Sequence, residues 1–370
     1  MAVVIYRQRQ LALRQARVLR PLGWVYRFVV QPLRGQWRHW RRLLAQLRLM
    51  LLPRLHASLW KRCPSRRPSW QRNWRANEEG WLCPSKVTGS HDTAPIGKLV
   101  VGLLTYNNES AQLRSCLRAL DQAILALQSD CSVEIMILDN GSASVEALGG
   151  WQQLRWLEPV GNVGFGAGHN RLMQRAFAEG ADAYVAMNPD GRAHPRLLGA
   201  LRDCSYACRG GAVVEALQFP CEHPKPFDPR HGETPWASGA CLLIPRGIYK
   251  RIGGFDETFF MYCEDVDLSW RARAAGFRVV TAPKALFLHQ VTNREPNPAR
   301  HALMLAAGRQ LGLKWRRPVF ALAATLKLKQ LGEVADQLPP QTRAKPSVVP
   351  ASDRWASSFG HAFSFSRPRW

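Results

Sequence analysis

The stretch GGFDETFFMYCEDVDLSWRARAAGF, Gly253 to Phe277, sets three carboxylates, Glu264, Asp265 and Asp267, at the start of a segment with helical spacing. Leu268, Ala272 and Ala275 recur on one face while Arg271 and Arg273 lie elsewhere, so the spacing predicts an amphipathic helix buried along one stripe. Carboxylates in a first turn are favoured by the macrodipole and by free backbone N–H groups, and that alone can account for such a cluster. The setting adds a second reading. Phe259, Phe260, Met261 and Tyr262 deliver the carboxylates out of an apolar run, where desolvation makes a carboxylate more basic and suited to accepting a proton.

Upstream, strands alternate with helices. Leu99 to Leu104 reads as a fully buried strand of a parallel sheet, followed by a helix over about Glu109 to Gln128 with Leu113, Leu117, Leu120 and Ile124 on one side. VEIMILDNGS gives a second strand, Leu154 to Leu157 a third, and Ala183 to Met187 a fourth, with a helix through Met173 and Phe177 between the last two. Polar and glycine-rich residues fall repeatedly at strand C-terminal ends, the layout of a doubly wound α/β sheet whose ligands bind at the carboxyl edge. Beyond about Gly210 the pattern loosens into a Pro-, His- and Gly-rich loop, followed by a strand at Trp236 and the acidic helix. Phe277 to Thr281 and Ala285 to Leu288 read as two short strands ending at His289, and Ala299 to Lys314 and Val319 to Leu331 as helices.

Each polar stretch has a plain structural reading beside its chemical one. Asp139 in LDNGS and Asp190 in NPD are residues that form turns. GNVGFGAGHN, Gly161 to Asn170, places four glycines before a helix, which permits close backbone approach to a phosphate or simply a flexible turn. It is neither the dinucleotide fingerprint nor a P-loop. A lone His at a strand end, as at His289, is commonly structural.

WASGACLLIPR, Trp236 to Arg246, followed by GGFDETFFMYCEDVDL, resembles the inverting, nucleotide-sugar-dependent glycosyltransferases of family 2, and more closely the rhamnosyltransferase-like branch that builds bacterial surface polysaccharides. The ordered motifs run from about Lys98 to Pro318. The resemblance implies a GT-A fold, a mostly parallel sheet flanked by helices, with Thr105, Glu109 and Asp139 around the nucleotide and Asn162 and Gly164 near the donor. It implies that NPD stands where DxD usually stands, so that Asp190, which also serves the donor, and His289 would hold Mg2+ or Mn2+. Asn188 replaces the first Asp and removes one anionic ligand, and Gln290, Val291 and Thr292 depart from the usual glycine and serine after the His. Asp265 is then the catalytic base, with Trp236 and Glu264 on the acceptor side and Asp267 capping the helix or touching the acceptor. The expected reaction moves one sugar, L-rhamnose from a dTDP donor, with inversion onto a saccharide or lipid-linked acceptor. The competing readings are a transferase-like scaffold that has lost its chemistry, and a glycoside hydrolase, which adjacent Glu264 and Asp265 fit poorly because that chemistry needs two carboxylates flanking the bond.

A chain of 370 residues with 46% hydrophobic content has room for one large or two medium domains. Its net charge of +24 is uneven, since residues 1–86 hold 19 of the 51 Lys and Arg and only two acids, Glu78 and Glu79. Residues 1–95 are expected to form a basic amphipathic region with several short helices, which suits an anionic membrane surface through residues 1–75 or an auxiliary helical layer. Nucleic acid is not an expected partner, as no recognised binding motif accompanies the basic residues. Residues 96–318 are expected to be the transferase domain and 319–370 a helix and a disordered tail. Nine scattered cysteines without a CxxC pair, no apolar run of about 18 residues and no signal-peptide pattern lead to the expectation of a cytoplasmic protein, peripheral on the inner face of the membrane.

Overall fold

The computed structural model describes residues 95–332 apart from 128–130, 143–153, 224, 226–231 and 290–296, together with 338, 339, 347, 367 and 368. The expectations for residues 1–94, for Gln290 to Thr292 and for most of the tail lie outside the described residues.

Eight strands form one sheet in the order β3 (Leu154–Trp156), β2 (Ser132–Asp139), β1 (Lys98–Thr105), β4 (Ala183–Met187), β8 (Cys241–Pro245), β6 (Ala212–Phe219), β9 (Arg278–His289) and β5 (Gly191–Ala193), and the short β7 (Cys221–Glu222) lies outside it. β1, β2, β3 and β4 run parallel, as the buried apolar runs predict. β8 is antiparallel to both β4 and β6, β6 is parallel to β9, and β5 pairs antiparallel with the end of β9. The sheet is therefore mixed, with parallel pairing concentrated in its first half.

Alternation along β1 sends side chains to both faces. Leu99, Val101 and Leu103 meet α1 (Ser110–Leu125) and α3 (Leu197–Ala207), whose Leu113, Leu117, Leu120, Leu197 and Leu201 are buried there. Val100 and its neighbours meet α2 (Phe165–Ala178), α4 (Arg246–Ile252) and α5 (Glu264–Ala274) through Leu172, Met173, Ile248, Leu268 and Ala272. Each such fully buried aliphatic side chain stabilises the fold by about 1.5–3 kcal/mol relative to exposure, so both helical layers are tightly held. α6 (Pro298–Lys314) and α7 (Pro318–Lys329) follow the sheet and pack on one another. No helix of the described residues is long and apolar enough to cross a membrane.

Four expectations need correction. Residues after Gly210 do not loosen into a loop at once: AVVEALQF forms β6, buried along seven of its eight residues, and the acid Glu215 within it disguises a central strand. Trp236 lies outside any strand, and the strand it was expected to begin starts at Cys241. The two short strands before His289 are one, β9, with a register irregularity opposite Ala216 and Leu217. α5 is buried on nearly all sides, including Glu264 and Asp267, because α6 covers the face that spacing left for solvent.

Candidate active site

The register aligns the polar strand ends along one edge. Thr105 pairs directly with Asp139, Leu103 with Met187, and Met187 with Cys241, so Thr105, Asp139, Asn188 and Ala240 emerge side by side. β6 and β9 reach the same edge with Gln218 and His289. That edge is where an α/β sheet presents its ligand-binding loops.

At the first corner the Asp139 carboxylate accepts from Thr105 Oγ1 at 3.0 Å, Ser142 Oγ at 2.5 Å, Ser142 N at 2.8 Å and Gly141 N at 3.1 Å. It is both a turn former and the hub of this corner. The neighbouring Asn140 accepts from Val163 N at 3.0 Å and donates to Asn162 Oδ1 at 3.1 Å, tying the second strand's loop to the glycine loop. Glu109 stands exposed at the start of α1, and its side chain caps nothing there.

The glycine loop differs from its expected form. α2 begins at Phe165, so Gly166 and Gly168 lie inside the helix, and a Cβ on Gly168 would meet Leu104 at 2.5 Å. Gly168 thus serves helix–sheet contact, while Gly166 lets the helix approach Phe255 and Glu264. Gly164 is the one that needs glycine's backbone freedom: its φ is +88°, and a Cβ there would sit 2.2 Å from Phe260 O, the carbonyl that accepts from Phe165 N at 2.9 Å. Asn170 completes the link by bonding both Phe255 N and Phe255 O, at 2.8 and 2.9 Å. The glycine loop and the run before the acidic helix are thus one unit.

At the second corner His289 Nε2 lies 3.1 Å from Asp190 Oδ1, with Asn188 Nδ2 at 3.5 Å. His289 Nδ1 is 3.0 Å from Gln218 Oε1. If the ring donates from Nδ1 to Gln218, its Nε2 lone pair faces the carboxylate, an arrangement that two acceptors hold well only around a cation or a proton. The Asp190 carboxylate and the His289 imidazole nitrogen are of the donor types that would hold a divalent ion, whereas Asn188 presents its amide nitrogen, which cannot ligate one in this orientation. Among the described residues no group of three or more His, Cys, Asp or Glu is arranged to hold a metal ion by itself.

The third corner is the start of α5. Tyr262 and Cys263 take left-handed φ values of 70° and 66°, turning the apolar run into the helix. The three carboxylates then part ways. Asp265 Oδ2 accepts from Gly239 N at 2.9 Å and Oδ1 from Val266 N at 2.8 Å. Burial pushes its carboxyl up, while those N–H groups and the Lys225 charge pull it back. Glu264 is only 5% exposed and its Oε2 has no hydrogen-bond partner, so burial, reinforced by the Asp265 charge, holds its carboxyl well above the usual range. Asp267, fully buried, accepts from Arg271 Nε at 2.7 Å, Lys314 Nζ at 2.7 Å and Trp315 Nε1 at 2.9 Å. It neither caps the helix nor faces the edge; it fastens α5 to α6.

Glu215 and Lys225 were not singled out by the sequence. Glu215 Oε2 accepts from Lys225 Nζ at 2.6 Å and Ser238 N at 2.7 Å, and Oε1 from Thr281 Oγ1 at 2.5 Å. Lys225 also donates to Trp236 O at 2.6 Å and lies 4.3 Å over the Trp236 ring. Trp236 is 5% exposed and belongs to one apolar cluster with Phe259, Val266, Trp270 and Trp315. One acid inside an apolar run was the only hint of Glu215; Lys225, in a proline-rich loop, had none.

Residues 212–311 match the family model described as "Glycosyltransferase like family 2". The chain is 29% identical over 282 residues to an N-acetylglucosaminyl-diphospho-decaprenol L-rhamnosyltransferase of Mycobacterium tuberculosis, a match covering 61% of this chain and 92% of that protein. It is 39% identical over 54 residues to rhamnosyltransferase WbbL of Escherichia coli, covering 15% of this chain and 20% of that one. Among solved structures, a mannosyltransferase of Pyrobaculum calidifontis superposes with a TM-score of 0.47 at 16% identity, covering 72% of this chain and 83% of that chain. Residues 212–311 are thus similar to glycosyltransferase family 2, and rhamnosyltransferases are among the chain's relatives in sequence.

Proposed function

We propose that residues 96–318 transfer one sugar, L-rhamnose from a dTDP donor, to a saccharide or lipid-linked acceptor of a surface polysaccharide, inverting the anomeric centre. The observation that carries this reading is the short loop between two corners: Gly239 N donates to Asp265 Oδ2 at 2.9 Å, while the carbonyl of the next residue, Ala240, accepts from Asn188 N at 2.9 Å. The proton acceptor and the proposed diphosphate corner are thereby tied to two adjacent residues of one segment, which Glu215 also holds through Ser238 N.

In this reading Asp139, Thr105, Asn162 and Gly164 border the nucleotide, with Glu109 at the rim. Asp190 and His289 would hold a Mg2+ or Mn2+ ion, which would supply positive charge against that building on the departing diphosphate. Asp265 takes the proton of the acceptor hydroxyl as that oxygen bonds to the anomeric carbon from the face opposite the leaving diphosphate. Burial raises the Asp265 carboxyl and makes it more basic, while its two backbone donors aim it and offset part of that rise, as does the Lys225 charge. Glu264 and Trp236 border the acceptor side. Such a base contributes about 10²- to 10⁴-fold in rate.

The test is a panel of nucleotide sugars assayed for nucleoside diphosphate release with a polyprenyl-diphosphate-linked sugar as acceptor. Release with one donor, and a loss of about 10²- to 10⁴-fold in kcat for Asp265→Asn with donor affinity retained, is the expected outcome. Turnover near wild type in that variant would remove Asp265 as the base, and no release with any donor would favour the scaffold reading.

A further inference from the structure

Helix α7 presents two apolar faces. Ala321, Ala324 and Leu328 are buried, and Leu328 packs with Ala302, Leu305 and Ala306 of α6. On the other side Val319, Leu322 and Leu326 are 76%, 58% and 43% exposed, and Leu313 at the end of α6 adds a fourth large apolar side chain at 46%. With 3.6 residues per turn, the three α7 side chains fall in an arc of about 60°. Exposed Lys327 and Lys329 lie beyond its two sides, and no Asp or Glu occurs between Leu313 and Gly332.

An exposed apolar stripe bordered by lysines needs a partner that takes hydrocarbon in the middle and supplies negative charge at the rim. The chain's own basic front end supplies the wrong sign, with 19 Lys and Arg against two acids in residues 1–86. A second copy docked face to face would set lysine near lysine. An anionic lipid surface meets both demands: the leucines and valine enter the acyl boundary while the ammonium groups reach the headgroup phosphates. We infer that the outer face of α7, between Val319 and Leu326 and flanked by Lys327 and Lys329, is a docking surface for an anionic membrane. A stripe this short binds weakly by itself and acts as one of several contacts.

The experiment mixes the full chain with vesicles of phosphatidylcholine alone or containing about a quarter phosphatidylglycerol, and follows amide hydrogen exchange together with the bound fraction. Peptides covering residues 313–332 gain protection with the anionic vesicles and not with neutral ones. Leu322→Glu/Leu326→Glu and, separately, Lys327→Gln/Lys329→Gln lower the vesicle partition coefficient about tenfold or more, with the melting temperature unchanged because these side chains are exposed. Vesicle binding without protection of α7 assigns the membrane contact elsewhere and overturns the inference. Equal protection by neutral vesicles, or protection that grows with protein concentration in the absence of lipid, overturns it in favour of a plain apolar contact or a second copy. No nucleotide sugar enters these measurements, so their outcome is independent of whether the transferase reading holds.

Discussion

Asp190 and His289, 99 residues apart in the chain, meet at 3.1 Å because Gly191 and His289 are register partners of β5 and β9. Gln218, on the adjacent β6, then fixes the other ring nitrogen. Replacing His289 by Ala removes a proposed ligand and should abolish measurable Mn2+ binding in the presence of a nucleoside diphosphate. Gln218→Leu should weaken it by about 10- to 100-fold. Calorimetric titration of Mn2+ into the nucleotide-loaded protein reads both, and unchanged affinity in both variants would remove this corner as the metal site.

The three carboxylates of α5 should separate by what they change. Asp267→Ala leaves Lys314 and Arg271 facing a lost partner in a buried setting and should cost about 3–5 kcal/mol of stability. Asp265→Asn should cost turnover and little stability, since Asn keeps an acceptor for Gly239 N. Urea unfolding beside kcat distinguishes the two; a stable Asp267→Ala would show that α6 is not held through this contact.

Burial raises the Glu264 carboxyl well above its ordinary 4.5, so the folded protein keeps a proton that the unfolded chain releases. The stabilisation tied to that proton is complete below the unfolded value and is lost as pH rises through the folded one. Glu264→Gln, neutral at every pH, should therefore gain melting temperature over the wild type progressively as pH rises above the ordinary 4.5. A constant difference above that value would mean that Glu264 is ionised in the fold.

His169 behaves in the opposite sense. Fully buried, with Nδ1 2.7 Å from Tyr184 Oη, it is pulled by burial from 6.5 to about 3. Its contribution is present above the unfolded value and fades as pH falls toward the folded one, at up to about 1.4 kcal/mol per pH unit. His169→Gln should lose stability at neutral pH yet decline less steeply on acidification, as denaturant midpoints at a series of pH values would record.

Gly164→Ala sets a Cβ 2.2 Å from Phe260 O at a φ of +88°. The backbone strain alone costs about 1–3 kcal/mol, and the clash breaks the Phe165 N to Phe260 O bond that joins the glycine loop to the acidic helix. A melting temperature lower by several degrees, with weaker nucleotide binding, is the expected result. An unchanged protein would show that this junction is slack.

The sequence by itself determined the local elements. Apolar runs marked β1, β2 and β4, helical spacing marked α1, α6 and α7, and the polar residues at strand ends marked the edge that carries Asp139, Asp190 and His289. It also placed Glu264, Asp265 and Asp267 in one first turn. Only the tertiary structure decided which of the three does what, because burial and partners come from other elements: Gly239 for Asp265, Lys314 and Trp315 for Asp267, and no hydrogen-bond partner for Glu264 Oε2. The same holds for β6, whose central acid reads as a loop until Lys225, Ser238 and Thr281 neutralise and satisfy it. A carboxylate's solvation is a property of everything folded around it, and local spacing does not contain that.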